Sequence, residues 1–155
     1  MAGMPTHERP EVTTRDDDSP ARESSNPGPE LPARLAREQN VWLCTLRPDG
    51  SPHVTPVWFV YMGSTWWIGS AERNRKVRNV ERDPRVSLAL EDGRNPVVAE
   101  GQARVHHSGF PADVVAAFAR KYRGWDVTAA ESAESGARVL IEIPVKRWLL
   151  EGRAQ

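Results

Sequence analysis

Val41-Trp42-Leu43-Cys44-Thr45-Leu46, then Arg47-Pro48-Asp49-Gly50, then Pro52-His53-Val54-Thr55-Pro56-Val57-Trp58-Phe59-Val60-Tyr61-Met62 is the stretch on which the fold turns. The first segment is an apolar strand. The second has proline at the second and glycine at the fourth position of a β-turn. The third returns as a strand, so the three form a hairpin. Pro56 has no N–H to donate and is expected to interrupt the pairing of its strand. Met62-Gly63-Ser64 reads as another tight turn, and Thr65 to Gly69 as a third strand rich in β-formers. Trp66 and Trp67 are adjacent, so one is expected inside and one outside, where an exposed Trp suggests a partner surface.

Downstream the period changes. Arg73 to Arg82 is charged, with Val77 and Val80 three apart, which suits a short helix closed by Asp83-Pro84. Arg85 to Glu91 alternates Val86, Leu88 and Leu90 with polar or small residues, as a half-buried strand does. Val97 to His106 reads as one strand in which Gly101 marks a bulge or a close backbone approach. Pro111 to Arg123 is an amphipathic helix with Val114, Phe118 and Tyr122 on one stripe. Residues 126–136 read as a polar loop. Ala137 to Ile143 is a strand, and Val145 to Leu150 a separate one after Pro144. Upstream, Pro32 to Gln39 suits a short helix with proline in its first turn. Six or seven strands in hairpin order, without a βαβ repeat, predict a mainly β protein: a small antiparallel barrel with short helices outside.

The 155 residues carry 21 basic and 21 acidic side chains, but not evenly. Residues 1–32 hold 7 acidic and 3 basic residues with six prolines, whereas the rest carries 18 basic and 14 acidic. Residues 1–29 bury too little apolar surface to offset their ordering entropy and are expected to be a disordered extension ahead of a domain at 30–155. The longest apolar stretch, Val54 to Met62, is far short of the roughly 18–20 residues of a membrane-spanning helix. No signal-peptide core is visible, which leads to the expectation of a cytoplasmic protein. One cysteine, Cys44, excludes an internal disulfide and is expected to be a buried, inert thiol. The four histidines have no metal-site spacing, so no metal is expected. The basic run is not interleaved with aromatics, so nucleic acid is not expected as a partner either.

Two segments can carry binding chemistry. Ser70-Ala71-Glu72-Arg73-Asn74-Arg75-Lys76-Val77-Arg78-Asn79 joins a strand end to a helix start. Free N–H groups and cations there suit a phosphate, with Arg75 and Lys76 as direct partners and Ser70 and Asn79 assisting. A solvated basic helix is the alternative. In Thr55-Pro56-Val57-Trp58 the indole suits packing against a flat ring, and the backbone near Pro56 suits the edge of a cofactor. A core or interface aromatic is the alternative there.

Arg-Pro-Asp-Gly-Ser-Pro-His-Val-Thr-Pro-Val-Trp-Phe (47–59), Arg-Lys-Val-Arg-Asn-Val-Glu-Arg-Asp-Pro-Arg-Val-Ser-Leu (75–88) and Val-Val-Ala-Glu-Gly-Gln-Ala-Arg-Val (97–105), in that order, resemble the pyridoxamine 5′-phosphate oxidase-like split β-barrel superfamily. The pattern is most similar to its flavin/deazaflavin oxidoreductases that use coenzyme F420. The resemblance covers roughly residues 33–150 and implies a homodimer with cofactor sites at the subunit interface. It places the phosphate at Ser70 to Asn79, with Lys76 the matching lysine, and the ring along Thr55 to Trp58. Gln102 and Trp148 match loosely. The implied activity is hydride transfer from the reduced deazaflavin to an electron-poor small organic substrate. No catalytic side chain is implied, because the cofactor carries the chemistry. An FMN-dependent oxidoreductase and a non-catalytic flavin or deazaflavin carrier are the alternatives. The 18 Arg against 3 Lys fit an actinobacterial source. Leu150-Glu151-Gly152-Arg153 lacks the extended basic tail of a true pyridoxamine 5′-phosphate oxidase, so vitamin B6 oxidation is not expected.

Overall fold

The computed structural model describes residues 30–153. The expected disordered extension, 1–29, lies outside them. The elements in chain order are α1 (Leu31–Arg37), β1 (Asn40–Leu46), β2 (Pro52–Met62), β3 (Thr65–Ala71), α2 (Arg75–Arg82), β4 (Arg85–Leu90), β5 (Val97–Gln102), β6 (Arg104–His106), α3 (Ala112–Lys121) and β7 (Arg138–Glu151).

The first hairpin forms where its turn chemistry places it. Gly50 adopts φ 83° and its N–H donates to Arg47 O at 2.9 Å. The Asp49 carboxylate accepts both the N–H and the hydroxyl of Ser51 at 2.9 and 2.6 Å, and these hydrogen bonds hold it below the ordinary carboxylate range. At the second turn Gly63 and Ser64 take φ 55° and 59°, the two positive values that let a tight hairpin follow the strand twist.

All strand pairs are antiparallel, in the order β3-β2-β1-β4-β5-β7-β6, and β3 also pairs with β7, so the sheet closes into a barrel. The mainly β barrel with outer helices stands as expected. Two long strands make the closure by changing partner midway. β2 pairs with β1 from Pro52 to Trp58, and with β3 from Phe59 to Met62. β7 pairs with β3 and β6 up to Pro144, then with β5.

Pro144 therefore does not split β7 in two, contrary to the sequence expectation. It stands in register with Thr65 at the end of the β3 ladder, and the next N–H, that of Val145, donates to Ser64 O at 2.9 Å. Pro56 likewise does not interrupt its ladder: the β1–β2 register runs unbroken through Trp42↔Pro56. The expected single strand 97–106 breaks at Ala103, whose N–H donates to Pro84 O at 2.8 Å. The close approach expected at Gly101 is real. A Cβ there would stand 2.6 Å from Pro144 O and 2.7 Å from Ile143 Cγ2, beside register shifts in the β5–β7 ladder.

Val41, Leu43, Val57, Phe59, Trp66, Ile68, Leu88, Ile141 and Ile143 fill the barrel, with α1 and α2 closing onto it. A second cluster lies outside the wall, where Val114, Phe118 and Tyr122 of α3 and its C-cap cover Val60, Trp67 and Leu140. Both adjacent tryptophans are thus buried, Trp66 within the barrel and Trp67 beneath α3, so Trp67 offers no partner surface. Cys44 points away from the barrel interior, half-buried between Val54 and Ser87 in the register, rather than into the core. Among the described residues no helix is long and apolar enough to cross a membrane.

Candidate functional site

Because β2 leaves β3 after Phe59↔Ile68, the two strands diverge toward Pro52 and Ala71. Among the described residues no strand pairs with that edge of β2 from Pro52 to Trp58. The shallow cleft between them is bordered by Thr55–Trp58 on one side and by Ser70, Ala71 and the start of α2 on the other, with Tyr122, Trp125 and Val127 packed against it. Both sequence-predicted segments therefore border one opening.

On the barrel side of the cleft lie His53 and Thr55, which alternate with exposed Val54, Pro56 and Trp58. Thr55 Oγ1 and His53 Nδ1 are buried with no hydrogen-bond partner. A buried polar atom without a partner costs free energy until something satisfies it. Burial, followed by the positive charges of Arg47, Lys76 and Arg75, lowers the imidazole's proton affinity. His53 thus has three cations around it. Lys76 is half-buried, and no carboxylate lies within ion-pair distance of it among the described residues. Burial pulls its ammonium below the ordinary lysine value, Glu131 works against that shift, and Arg138 adds to it. Arg75 is exposed.

The other two residues of the basic segment are bound into the fold. Ser70 is buried, and its Oγ accepts from Asn74 Nδ2 at 3.1 Å. Asn79 is 1% exposed and donates through Nδ2 to Thr45 Oγ1 at 3.0 Å, tying α2 to β1.

On the outer side, the Trp58 ring stacks on Tyr122 with centroids 4.5 Å apart and planes 7° apart. Trp125 meets Trp58 edge-on at 5.2 Å and lies over Gly69, where a Cβ would stand 3.3 Å from its ring. Below it, the buried Arg138 places its guanidinium 5.4 Å from the Trp125 ring, donates to Val127 O at 3.0 Å and pairs with Glu131 at 2.9 Å. Trp125, Glu131 and Arg138 were not singled out in the sequence, and Tyr122 was read only as part of the apolar stripe of its helix. Trp125 and Val127 were the available signal: large apolar residues at the start of a polar loop have to cover something.

A cavity of about 600 Å³ opens elsewhere, between β4, β5 and β7, lined by Arg85, Ser87, Gln102 and Lys146 among others. Of the sequence candidates it includes only Gln102; Trp148 packs against the barrel core. The two adjacent histidines face different neighbours: His106 lies 2.7 Å from Glu142, and His107 2.7 Å from Glu81. Among the described residues no cluster of ligand-type side chains could hold a metal.

The family model described as pyridoxamine 5′-phosphate oxidase matches residues 28–151. The chain belongs to this family. Comparison with curated proteins returns no match. Among solved structures, an F420 reductase is similar with a TM-score of 0.60 and 22% identity, over 75% of this chain and 93% of that one. A conserved hypothetical protein from Mycobacterium tuberculosis gives a TM-score of 0.64 and 25% identity, over 84% and 87%. The heme storage protein HutZ from Vibrio cholerae gives 0.65 and 17%, over 81% and 95%. The split barrel implied by the sequence motifs is thus shown, and proteins of similar fold include an F420 reductase and a heme storage protein.

Proposed function

We propose that this split barrel is an oxidoreductase that binds reduced coenzyme F420 at a homodimer interface and passes hydride to an electron-poor small organic substrate. The observation that carries the reading is the cleft itself. An unpaired strand edge at Thr55–Trp58 faces a cation-rich helix start, and two buried polar atoms of that strand, His53 Nδ1 and Thr55 Oγ1, lack partners. That donor set fits a flat ring with an anionic side chain. Lys76 and Arg75 would hold the phosphate, and the β2 edge and Trp58 would hold the ring. Ser70 and Asn79 shape the loop and helix that present these cations. When bound, the reduced deazaflavin supplies the hydride. The chain's own residues bind and orient, and Trp125 and Tyr122 shield one side from water.

Among the described residues this edge of β2 has no strand partner, and an apolar surface adjoins it. Pro56, Trp42, Ala89, Val98 and Leu150 stand next to one another across five strands on the outer face of the barrel. Trp42, Val54 and Trp58 on this face are 41%, 52% and 42% exposed. A second copy seated here would cover it and complete the cleft, which supports the dimer.

The test is a fluorescence titration of the purified protein with F420 and, separately, with FMN. Tight binding of F420, weakened at least tenfold by Lys76→Ala without loss of thermal stability, is the expected result. A lone, partly solvated cation contributes little to folding, so the variant should stay folded. FMN binding alone would move the reading to a flavoenzyme of the same fold, and binding of neither would refute it.

A further inference from the structure

At the end of β3 the Glu131 carboxylate pairs with Arg138, and its charge reaches Lys76 as well. Arg138 is fixed: its side chain is 4% exposed, Nε donates to Val127 O, and Nη1 pairs with Glu131 at 2.9 Å. Its Nη2 stands 3.0 Å from where a Cβ on Gly69 would be, so the guanidinium lies against β3 beside Ser70. Lys76, on the first turn of α2, feels both groups, with Glu131 favouring its charge and Arg138 opposing it. Glu131 itself is 59% exposed. The carboxylate therefore lies between a buried guanidinium and solvent, and an anion held at Lys76 would feel its charge.

We infer that Glu131 sets the charge of the phosphate this site accepts, favouring a phosphodiester monoanion over a phosphomonoester dianion. This rests on the assignment of Lys76 to the ligand's phosphate. F420 carries a phosphodiester, with one negative charge. FMN ends in a monoester whose second proton leaves near pH 6, so it carries about 1.5 to 2 negative charges at pH 7. Repulsion from Glu131 falls on the second charge. One unit of charge several ångströms away at a half-exposed site changes affinity by roughly three- to tenfold. Glu131 thus makes the site a discriminator between the two ring cofactors, although it touches neither ring.

The experiment measures binding of F420, FMN and the monomethyl ester of FMN to wild type, Glu131→Gln, Glu131→Asp and Lys76→Ala by fluorescence titration. The ester has the FMN ring but a monoanionic phosphate. Glu131→Gln should raise FMN affinity roughly three- to tenfold relative to the two ligands whose phosphate is a monoanion. Glu131→Asp keeps the charge and should keep the wild-type preference, which separates charge from any loosening of the loop. An FMN-to-ester ratio that is the same in Glu131→Gln as in wild type, including failure to gain FMN binding, overturns the inference. If Lys76→Ala leaves all three affinities unchanged, the site assignment fails instead.

Discussion

Replacing Tyr122 by phenylalanine removes a single oxygen that holds three backbone groups. The phenol oxygen accepts the Phe59 N–H at 2.8 Å, and it lies 2.8 Å from both the Gln39 and the Phe59 carbonyl oxygens. It sits where the β1–β2 ladder ends, at Asn40↔Trp58, and takes the place of the next rung. Tyr122→Phe keeps the ring stacked on Trp58 but leaves a buried N–H unsatisfied, which costs about 2 kcal/mol. That is a fall of about 1 M in the urea midpoint, or about 8 °C in Tm. The same oxygen gives a pH signature. Burial pushes the phenol up to about 12 from an ordinary 10.0, partly opposed by its bond to Phe59. The neutral form is thus favoured in the fold. Its contribution is complete below pH 10 and lost as pH rises through 12, a loss on the order of 3 kcal/mol. Lys121 acts in the opposite sense at lower pH. Burial holds its ammonium at about 8, with Glu38 opposing, so stability rises between 8 and 10.5 as the unfolded chain comes to bind more protons. Urea denaturation at pH 7, 9.5 and 11.5 separates the two effects. Tyr122→Phe should start lower and lose less between 9.5 and 11.5, keeping only the smaller limb of Tyr61, which burial also raises. A variant as stable as wild type at pH 7, with an unchanged alkaline limb, would refute the reasoning.

Two further outcomes are expected. Gly101→Ala puts a methyl group 2.6 Å from the Pro144 carbonyl, a backbone atom with no rotamer to yield, and should cost about 3 kcal/mol in urea denaturation; a cost under about 1 kcal/mol would mean that β5 and β7 separate easily. Trp42→Lys places a charge within the exposed apolar row, so sedimentation velocity should show the proposed dimer converted to monomer with fold stability within about 0.5 kcal/mol of wild type; an unchanged sedimentation coefficient would move the interface elsewhere.

What the sequence disclosed was what its near neighbours decide. The 47–50 turn, the Gly63-Ser64 turn and the alternation of Val86, Leu88 and Leu90 rest on local chemistry, and each lies where it was read. Trp67 was misread because the helix that buries it is distant in the chain and its direction cannot be seen from the tryptophan. Pro144 was misread because a proline breaks a ladder only where an N–H is required, and here the strand is changing partners. The cleft was half legible. Its two walls carry recognisable motifs, but Asn79, read as a helper at the phosphate, lies between Val77 and Val80 and turns inward to Thr45. Arg138 and Glu131 stand in a stretch without a motif; the β3–β7 ladder sets Arg138 opposite Ala71, and the loop packed over Gly69 by Trp125 and Val127 brings Glu131 to it.

The position of the site follows from how this barrel closes. β2 and β7 are the two long strands, and each spends half its length with one set of neighbours and half with another. Each such exchange leaves a strand edge to be satisfied. At β7 the chain satisfies it internally: Val145 bonds to Ser64, and β5 takes over beyond Pro144. At β2 no described strand takes the edge opposite β1 between Pro52 and Trp58, and cations and partnerless polar atoms converge there beside the aromatic rings of Trp58, Tyr122 and Trp125. An open edge lined in this way is poorly suited to another strand of the same sheet. It is well suited to a flat, hydrogen-bonding ring with an anionic tail. The partner exchange that lets six strands and a short seventh close on a small core therefore also leaves the edge at which Lys76, Arg75 and Glu131 are proposed to select the ligand.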